Sequence, residues 1–440
     1  MALIELSPET PAPPAAAPPP AYFYRRAGLA LAVLLLLALG GAAPATSVLL
    51  QRIGSVPITT GGDFQLVGGI LYTMDLDSVP RVLTAWQPGT LRRLWSHRGT
   101  TTEDPFFVSA ATDRFTMLRS GRGITVLDAR TGAVRWNSPV AVQPVNDRIA
   151  FVEEEIFRPG TEYDTESGDP GQLYGTNTGA LHTEPALRTE LRGVDLADGA
   201  KVWSLSLPGT VFTTWTGAPE NAVVALSSDK LMVLSPTTGA VLRERPVPLI
   251  NGLPAAEGEV VGNTVQVHYG AFGTGGPVAA YGVDTLDKLW QRDQPDPAGN
   301  SAGCLGVTCV KSSGELIVLD PRTGRERWRT TDAEVFAFGS DAVLEVRGAS
   351  RPLRTADLVT GRLRADLGWW RYFYPVEGGN AYVLSRPDGN RNTVLGLLRP
   401  RAAAVQPLGR LPDTTTQCES VPGLLACRVG ADIEMWTIPR

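Results

Sequence analysis

One pattern of apolar and polar residues recurs along the chain and predicts paired β-strands. In its best copies, alternating apolar residues run into an aspartate, a Thr-Gly pair follows, and a second strand carries a tryptophan, as in residues 124–136 (ITVLDARTGAVRW) and 316–328 (LIVLDPRTGRERW). Alternation with a period of two is typical of β-strands. The aspartate can accept hydrogen bonds from amides of the turn, and glycine accepts a positive φ there. The pattern therefore predicts a hairpin that is repeated along the chain.

The hairpins recur at a nearly constant spacing. Successive threonine-equivalent positions are 41, 67, 40, 47, 38, 37 and 41 residues apart. These positions are Thr90, Thr131, Asp198, Thr238, Thr285, Thr323, Thr360 and Arg401. A period of about 40 residues with four short strands per unit predicts an all-β fold, a β-propeller.

The number of blades follows from the count of turn motifs. Eight turn motifs favour eight blades, with seven and nine as alternatives. Residues 423–439 resemble the two middle strands of a further unit. We expect them to close the ring with N-terminal residues 56–60.

A tryptophan lies five positions after the threonine position in five of the units. A large flat side chain at that place can fill the gap between neighbouring sheets, and we predict that role for all five. They are Trp95, Trp136, Trp203, Trp290 and Trp328.

The spacing of 67 residues marks a unit with an insertion, at residues 156–187. Its acidic residues do not have the spacing of a calcium-binding loop. Long polar loops on rigid scaffolds are often functional. A passive surface loop is the ordinary interpretation, and a partner contact through Tyr163, Asp164 and Tyr174 is the alternative.

An aromatic run, WWRYFY, occupies residues 369–374. Strand alternation would bury half of it between blades and expose the other half. Core packing is therefore the default interpretation, and an exposed ligand or carbohydrate platform formed by Trp369, Trp370 and Arg371 is the alternative. The exposure of either tryptophan distinguishes the two interpretations.

Four cysteines allow three disulfide connectivities. Alignment of the two units that carry them makes Cys309 and Cys427 equivalent, with Cys304 and Cys418 each on the strand before. This predicts the pairs Cys304–Cys309 and Cys418–Cys427, each joining adjacent strands of one blade. A redox or metal site is disfavoured, because the chain has no Cys-x-x-Cys motif and no histidine close to either pair.

The N-terminus predicts a membrane anchor. Residues 1–24 form a Pro/Ala-rich tail, and residues 25–50 combine Arg25 and Arg26 with a long apolar run, which is typical of a single-pass helix with its N-terminus in the cytoplasm. A cleaved signal peptide is the alternative. Both interpretations place the propeller, residues 51–440, outside the cytoplasm at the plasma membrane.

The composition of the chain excludes two classes of protein. The 43% hydrophobic content excludes wholesale disorder, and the net charge of −5 gives no basic surface for nucleic acid. Arginine far outnumbers lysine, which suggests a GC-rich, actinobacterial source. The only lysines are Lys201, Lys230, Lys288 and Lys311.

The Asp-x-x-Thr-Gly turn and trailing tryptophan resemble the quinoprotein-type (PQQ-like) propeller repeat over roughly residues 60–438. In size and repeat style the chain is similar to the outer-membrane assembly factor B lipoproteins, although it lacks their lipid-attachment motif. Relatives that bind the quinone PQQ also hold calcium and often carry adjacent cysteines, which this chain lacks. Asp128, Asp195 and Asp320 occupy turn positions, so we expect no cofactor.

These observations predict a membrane-anchored, extracytoplasmic and non-catalytic module for protein interaction or scaffolding in the cell envelope. The chain has no Ser-His-Asp spacing, nucleophile elbow or P-loop that would indicate an enzyme. The alternatives are a PQQ-dependent oxidoreductase and an extracytoplasmic ligand or carbohydrate sensor that uses the aromatic run.

Overall fold

The computed structural model describes residues 49–439 with short gaps, and every regular element in them is a β-strand. The gaps are residues 100–105, 122, 165–167, 169–172, 176–179, 217–220, 271–275, 295–303, 313, 349, 390–391 and 413–414. The predicted tail at 1–24, and the predicted anchor at 25–50 except for its last two residues, lie outside the described residues. Within the part of the chain that the structure describes, no helix is long and apolar enough to cross a membrane.

The first half of the chain contributes the strands β1 (Gln51–Pro57), β2 (Asp63–Val67), β3 (Ile70–Asp75), β4 (Val82–Gln87), β5 (Arg92–Arg98), β6 (Phe106–Ala111), β7 (Phe115–Ser120), β8 (Gly123–Asp128), β9 (Val134–Ser138), β10 (Val142–Pro144), β11 (Ile149–Ile156), β12 (Tyr174–Gly175), β13 (Leu181–His182), β14 (Arg188–Asp195), β15 (Lys201–Pro208), β16 (Phe212–Trp215), β17 (Val223–Leu226), β18 (Lys230–Leu234) and β19 (Val241–Pro246).

The second half contributes β20 (Ala255–Val261), β21 (Thr264–Tyr269), β22 (Gly276–Gly282), β23 (Lys288–Gln294), β24 (Cys304–Leu305), β25 (Cys309–Ser312), β26 (Glu315–Leu319), β27 (Glu326–Thr331), β28 (Glu334–Phe338), β29 (Ala342–Arg347), β30 (Arg351–Asp357), β31 (Leu363–Asp366), β32 (Tyr372–Pro375), β33 (Tyr382–Pro387), β34 (Asn392–Leu398), β35 (Gln406–Pro412), β36 (Thr415–Val421), β37 (Leu424–Val429) and β38 (Asp432–Thr437).

All of these strands except β12, β13 and β24 form nine propeller blades in chain order, each an antiparallel set of strands that runs from an inner to an outer strand. Blades 1 to 5 are β2–β5, β6–β9, β10-β11-β14-β15, β16–β19 and β20–β23. Blades 6 to 9 are β25–β27, β28–β31, β32–β35 and β36-β37-β38-β1. Buried apolar side chains fill the spaces between neighbouring blades, as between blades 4 and 5.

The preferred count of eight blades is wrong, because the structure has nine. Each of the eight turn motifs belongs to its own blade. Residues 423–439 supply β37 and β38, the middle strands of a ninth blade that has no Thr-Gly turn. Its outer strand is β1, which pairs with β38 from Gln51 opposite Thr437 to Pro57 opposite Asp432. The predicted closure of the ring by the N-terminus is therefore confirmed.

The turn aspartates cap their hairpins as predicted. Asp320 Oδ1 accepts hydrogen bonds from the backbone N–H groups of Arg322 and Thr323 and from the Thr323 hydroxyl, while Oδ2 accepts one from Arg327 at 2.8 Å. Asp128 and Asp357 make the same set of contacts. These carboxylates are thus occupied within their own turns.

Each of the five repeat tryptophans docks its blade onto the turn of the next blade and so lies between two sheets. Trp290 of blade 5 donates its indole N–H to the carbonyl of Pro321 in blade 6 at 2.8 Å. Its ring lies against Gly324, where a Cβ would come within 2.7 Å of the ring and where φ is +65°. Only glycine fits this approach without strain. The same indole hydrogen bond joins Trp95 to Ala129, Trp136 to Leu196, Trp203 to Pro236 and Trp328 to Leu358.

Both predicted disulfides are present. Cys418 and Cys427 face each other on β36 and β37, so this bond joins adjacent strands of blade 9 as expected. Cys309 lies on β25 of blade 6, whereas Cys304 lies on β24, which pairs in parallel with β28 of blade 7. The first disulfide therefore links blade 6 to a strand of the neighbouring sheet, and the expectation of a bond within one blade is wrong for this pair.

The docking contact leads to a stability prediction. Trp290 is 8% exposed, so Trp290→Ala removes a buried ring and leaves the Pro321 carbonyl without its donor. We expect the free energy of unfolding of the full chain to fall by about 3–5 kcal/mol. Urea denaturation followed by circular dichroism measures this change. The matched control is Trp369→Ala, which removes an exposed indole and should change stability by less than about 0.5 kcal/mol. Equal effects of the two substitutions would contradict the docking role.

Candidate interaction surface

Blade topology determines which loops share a face of the propeller. The connections from inner to second strand and the Thr-Gly turns emerge on one face, here called the turn face. The connections from second to third strand and those between blades emerge on the opposite face, here called the crossover face. The insertion joins β11 to β14, and the start of the aromatic run joins β31 to β32. Both predicted surfaces therefore lie on the crossover face, although on blades that are not neighbours.

The aromatic run is divided between surface and core, although not by strict alternation, because the neighbours Arg371 and Tyr372 are both exposed. Trp369 is 82% exposed, and of the ten tryptophans, all of which the structure describes, it alone is exposed. Trp370 instead lies against Gly396 of blade 8, and the Arg386 guanidinium stands 5.7 Å from the centre of its ring. Trp370 is therefore a packing residue rather than a surface residue.

The exposed half of the run continues beyond Trp369. Arg371 is exposed, and Tyr372 is 51% exposed. The next residue, Phe373, faces the core and contacts Phe336 of blade 7 with ring centres 6.1 Å apart. We call Trp369, Arg371 and Tyr372 the aromatic patch. Exposed aromatic residues grouped in this way are typical of a binding surface.

The insertion folds back on itself to form an arm, here called the insert arm, at residues 157–187. The ring of Phe157 stacks on the imidazole of His182 at 3.8 Å, and the Thr161 hydroxyl is hydrogen-bonded to His182 Nδ1 at 3.0 Å. Tyr163 donates its backbone N–H to the Leu181 carbonyl at 2.7 Å. These contacts make the described part of the arm a defined structure on the crossover face.

The three predicted contact residues of the arm differ in exposure. Asp164 presents its side chain to solvent. Tyr163 is partly buried and donates its hydroxyl to the Gly168 carbonyl at 2.5 Å. Tyr174 is also partly buried and lies opposite His182 in the pairing of β12 with β13. The two tyrosines therefore help to shape the arm, and a role of Asp164 in partner contact stays a prediction.

Sequence reasoning missed a polar wall on blade 5. Gly258 of β20 faces Leu226 of blade 4. Because side chains alternate along a strand, Glu257 and Glu259 point away from blade 4. Glu257 lies opposite His268 of β21, and its Oε2 atom is buried without a hydrogen-bond partner among the described residues. Burial lowers the pKa of His268 to about 4. Glutamates two positions apart on an inner strand were the only signal in the sequence.

The described residues do not fit a metal-dependent quinone site. No three His, Cys, Asp or Glu side chains within them are arranged to hold a metal ion. The carboxylates of Asp128 and Asp320 are engaged in their turns, and the Arg135 guanidinium lowers the pKa of Asp128 to about 2. We therefore derive no chemical step through PQQ or calcium.

The polar wall leads to a pH prediction. Burial, together with the nearby charge of Glu257, raises the pKa of Glu259 from 4.5 to about 7. The folded protein therefore binds a proton on Glu259 more tightly than the unfolded chain does. The stability that this protonated carboxyl group contributes is lost as the pH rises through about 7. We expect Glu259→Gln to raise the thermal unfolding temperature at pH 8, and to raise it much less at pH 5.

The control for this experiment is Glu326→Gln. Glu326 is an exposed carboxylate whose pKa is lowered by Arg329, so its loss should not raise stability at pH 8. A pH-independent effect of Glu259→Gln would contradict the assignment of a buried, easily protonated carboxyl group.

Comparisons with known proteins agree with the repeat architecture. The family model of outer membrane protein assembly factor BamB matches residues 51–159 and 188–359. The unmatched stretch between these ranges lies within the insert arm. A search of the curated proteins finds no match to the chain.

Solved structures with a similar fold include BamB from Moraxella catarrhalis, which is 14% identical with a TM-score of 0.38, over 88% of this chain and 98% of that one. Quinohemoprotein alcohol dehydrogenase from Comamonas testosteroni is 11% identical with a TM-score of 0.39, over 90% of this chain and 78% of that one. The family match covers more than half of the sequence. The chain therefore belongs to the family of outer membrane protein assembly factor BamB.

Proposed function

We propose that this protein is a membrane-anchored, extracytoplasmic propeller that binds a protein partner in the cell envelope through its crossover face. It acts as a non-catalytic interaction or scaffold module, without a bound cofactor. Membership of the BamB family fits a protein-interaction module. Two disulfides support a location outside the cytoplasm, because disulfides persist in oxidising compartments.

The observation that carries the proposal is the exposure of Trp369. The protein packs its other nine tryptophans at least partly into the interior, yet it leaves this indole 82% exposed beside Arg371 and Tyr372. Tryptophan, tyrosine and arginine are the residue types that dominate binding energy at protein interfaces. A partner that covers the aromatic patch would remove this apolar surface from water.

The geometry of the face adds support. The insert arm leaves the crossover face from blade 3, and the aromatic patch lies on the connection from blade 7 to blade 8, so one partner that covers this face could contact both. The contacts of Phe157 and Thr161 with His182 give the arm a defined shape, which lowers the entropy that binding would otherwise cost.

The experiment compares two single substitutions in blade 7. Trp369→Ser alters the crossover face, and Val359→Ser alters a residue that is 56% exposed in the Thr-Gly turn of the same blade, on the turn face. Each full-length variant is expressed in its native membrane, cross-linked and purified, and partners are quantified by mass spectrometry. We expect Trp369→Ser to reduce recovery of the main partner about tenfold or more, since interface hot spots contribute about 2 kcal/mol or more.

Val359→Ser should leave that recovery unchanged, and both variants should unfold at the temperature of the parent protein. Equal recovery from all three proteins would contradict a partner on the crossover face. Loss of the partner from Val359→Ser alone would place the binding surface on the turn face instead.

A further inference from the structure

A cleft of about 510 Å³ lies at the inner side of blades 2, 3 and 4. Its cause is the short inner strand of blade 3. Strand β10 has three residues and pairs with β11 only as far as Val152, whereas β11 continues to Ile156. Within the described residues, the stretch of β11 from Glu153 onward therefore has no inner neighbour strand. The cleft volume falls in the range of small-molecule sites.

One wall of the cleft is aromatic. Trp215 of β16 belongs to no repeat position and does not dock onto a turn. Its ring meets the ring of Phe151 edge-on at 5.5 Å, and its indole N–H is hydrogen-bonded to Gln143 Oε1 at 2.6 Å. Phe212 lines the same wall. Trp215 is thus held in place from two sides while part of its ring borders the cleft.

The other wall carries charge. Glu153 accepts a hydrogen bond from the Thr213 hydroxyl, which fixes its carboxylate in the cleft. Arg119 reaches the cleft from blade 2 and is half-buried. Its guanidinium lies 6.0 Å from the centre of the Phe107 ring, and no carboxylate of the described residues pairs with it. A half-buried guanidinium favours an anionic partner in bidentate contact.

From these groups we propose that the cleft binds an acidic saccharide. The apolar face of a sugar ring stacks on Trp215. Its hydroxyls donate to the Glu153 carboxylate and accept from the Gln143 amide, whose oxygen is already used by the indole. A carboxylate on the next sugar pairs with Arg119 across the short strand β10. A ligand that combines a flat apolar face, several hydroxyls and one negative charge meets each of these groups with its complement.

This site is separate from the aromatic patch, so it can be tested independently of the proposed partner. The probes are cellobiose and cellobiouronic acid, which differ in one carboxylate, titrated into the full-length protein by isothermal calorimetry. We expect the acidic probe to bind more tightly. Arg119→Gln should weaken its binding about tenfold or more, as expected for a lost charge-assisted hydrogen bond, and should change cellobiose binding by less than about twofold.

Two further variants show where the probe binds. Trp215→Phe keeps a ring against Phe151 but loses the indole. It should therefore weaken the binding of both probes and abolish the change in tryptophan fluorescence that binding causes. Trp369→Ser should leave both affinities unchanged.

Several results would overturn the proposal. They are equal affinities for the two probes, no heat from either probe, or acid binding that survives Arg119→Gln. Binding of a tripeptide with a free C-terminal carboxylate in place of both sugars would identify the cleft as a peptide site and would also contradict it.

Discussion

The packing of an indole over a glycine, from one blade to the next, is the contact on which the ring depends. A blade is a twisted sheet that cannot bury both faces alone, so each junction needs a contact of fixed geometry. At five junctions a tryptophan supplies it by covering the turn glycine and donating to a turn carbonyl, as Trp290 does at Gly324 and Pro321. The capping aspartate keeps that turn in shape, so strand, turn and docking form one unit.

Much of this unit was predictable because its chemistry is local. The aspartate caps, the tryptophan positions, the cysteine partners and the limits of the insertion all follow from short patterns. The blade count failed because the ninth blade takes its outer strand, β1, from the far end of the chain and so has no Thr-Gly turn to count. The prediction that Cys304 lies in the same blade as Cys309 failed for a related reason, because no sequence pattern indicates the pairing of β24 with blade 7.

The candidate sites also have a part that the sequence predicts and a part that depends on the register of the sheets. Alternation predicted that part of the aromatic run would be exposed, and in the structure that part is Trp369, Arg371 and Tyr372, whereas Trp370 packs inside. The polar wall of Glu257 and Glu259 depends on which side of an inner strand faces which blade. The cleft at Trp215 depends on how far β10 extends. Neither property can be obtained from sequence without the register of the sheet.

The same architecture connects fold to function. Rigid blades hold the insert arm and the aromatic patch on one face, and we propose that a protein partner binds this face. Photo-cross-linking in the native membrane, with a light-activated amino acid at position 369 or at position 359, distinguishes the two faces of the propeller. We expect one dominant cross-linked protein from position 369 and none from position 359. Cross-links of equal yield from both positions, or from position 359 alone, would contradict it.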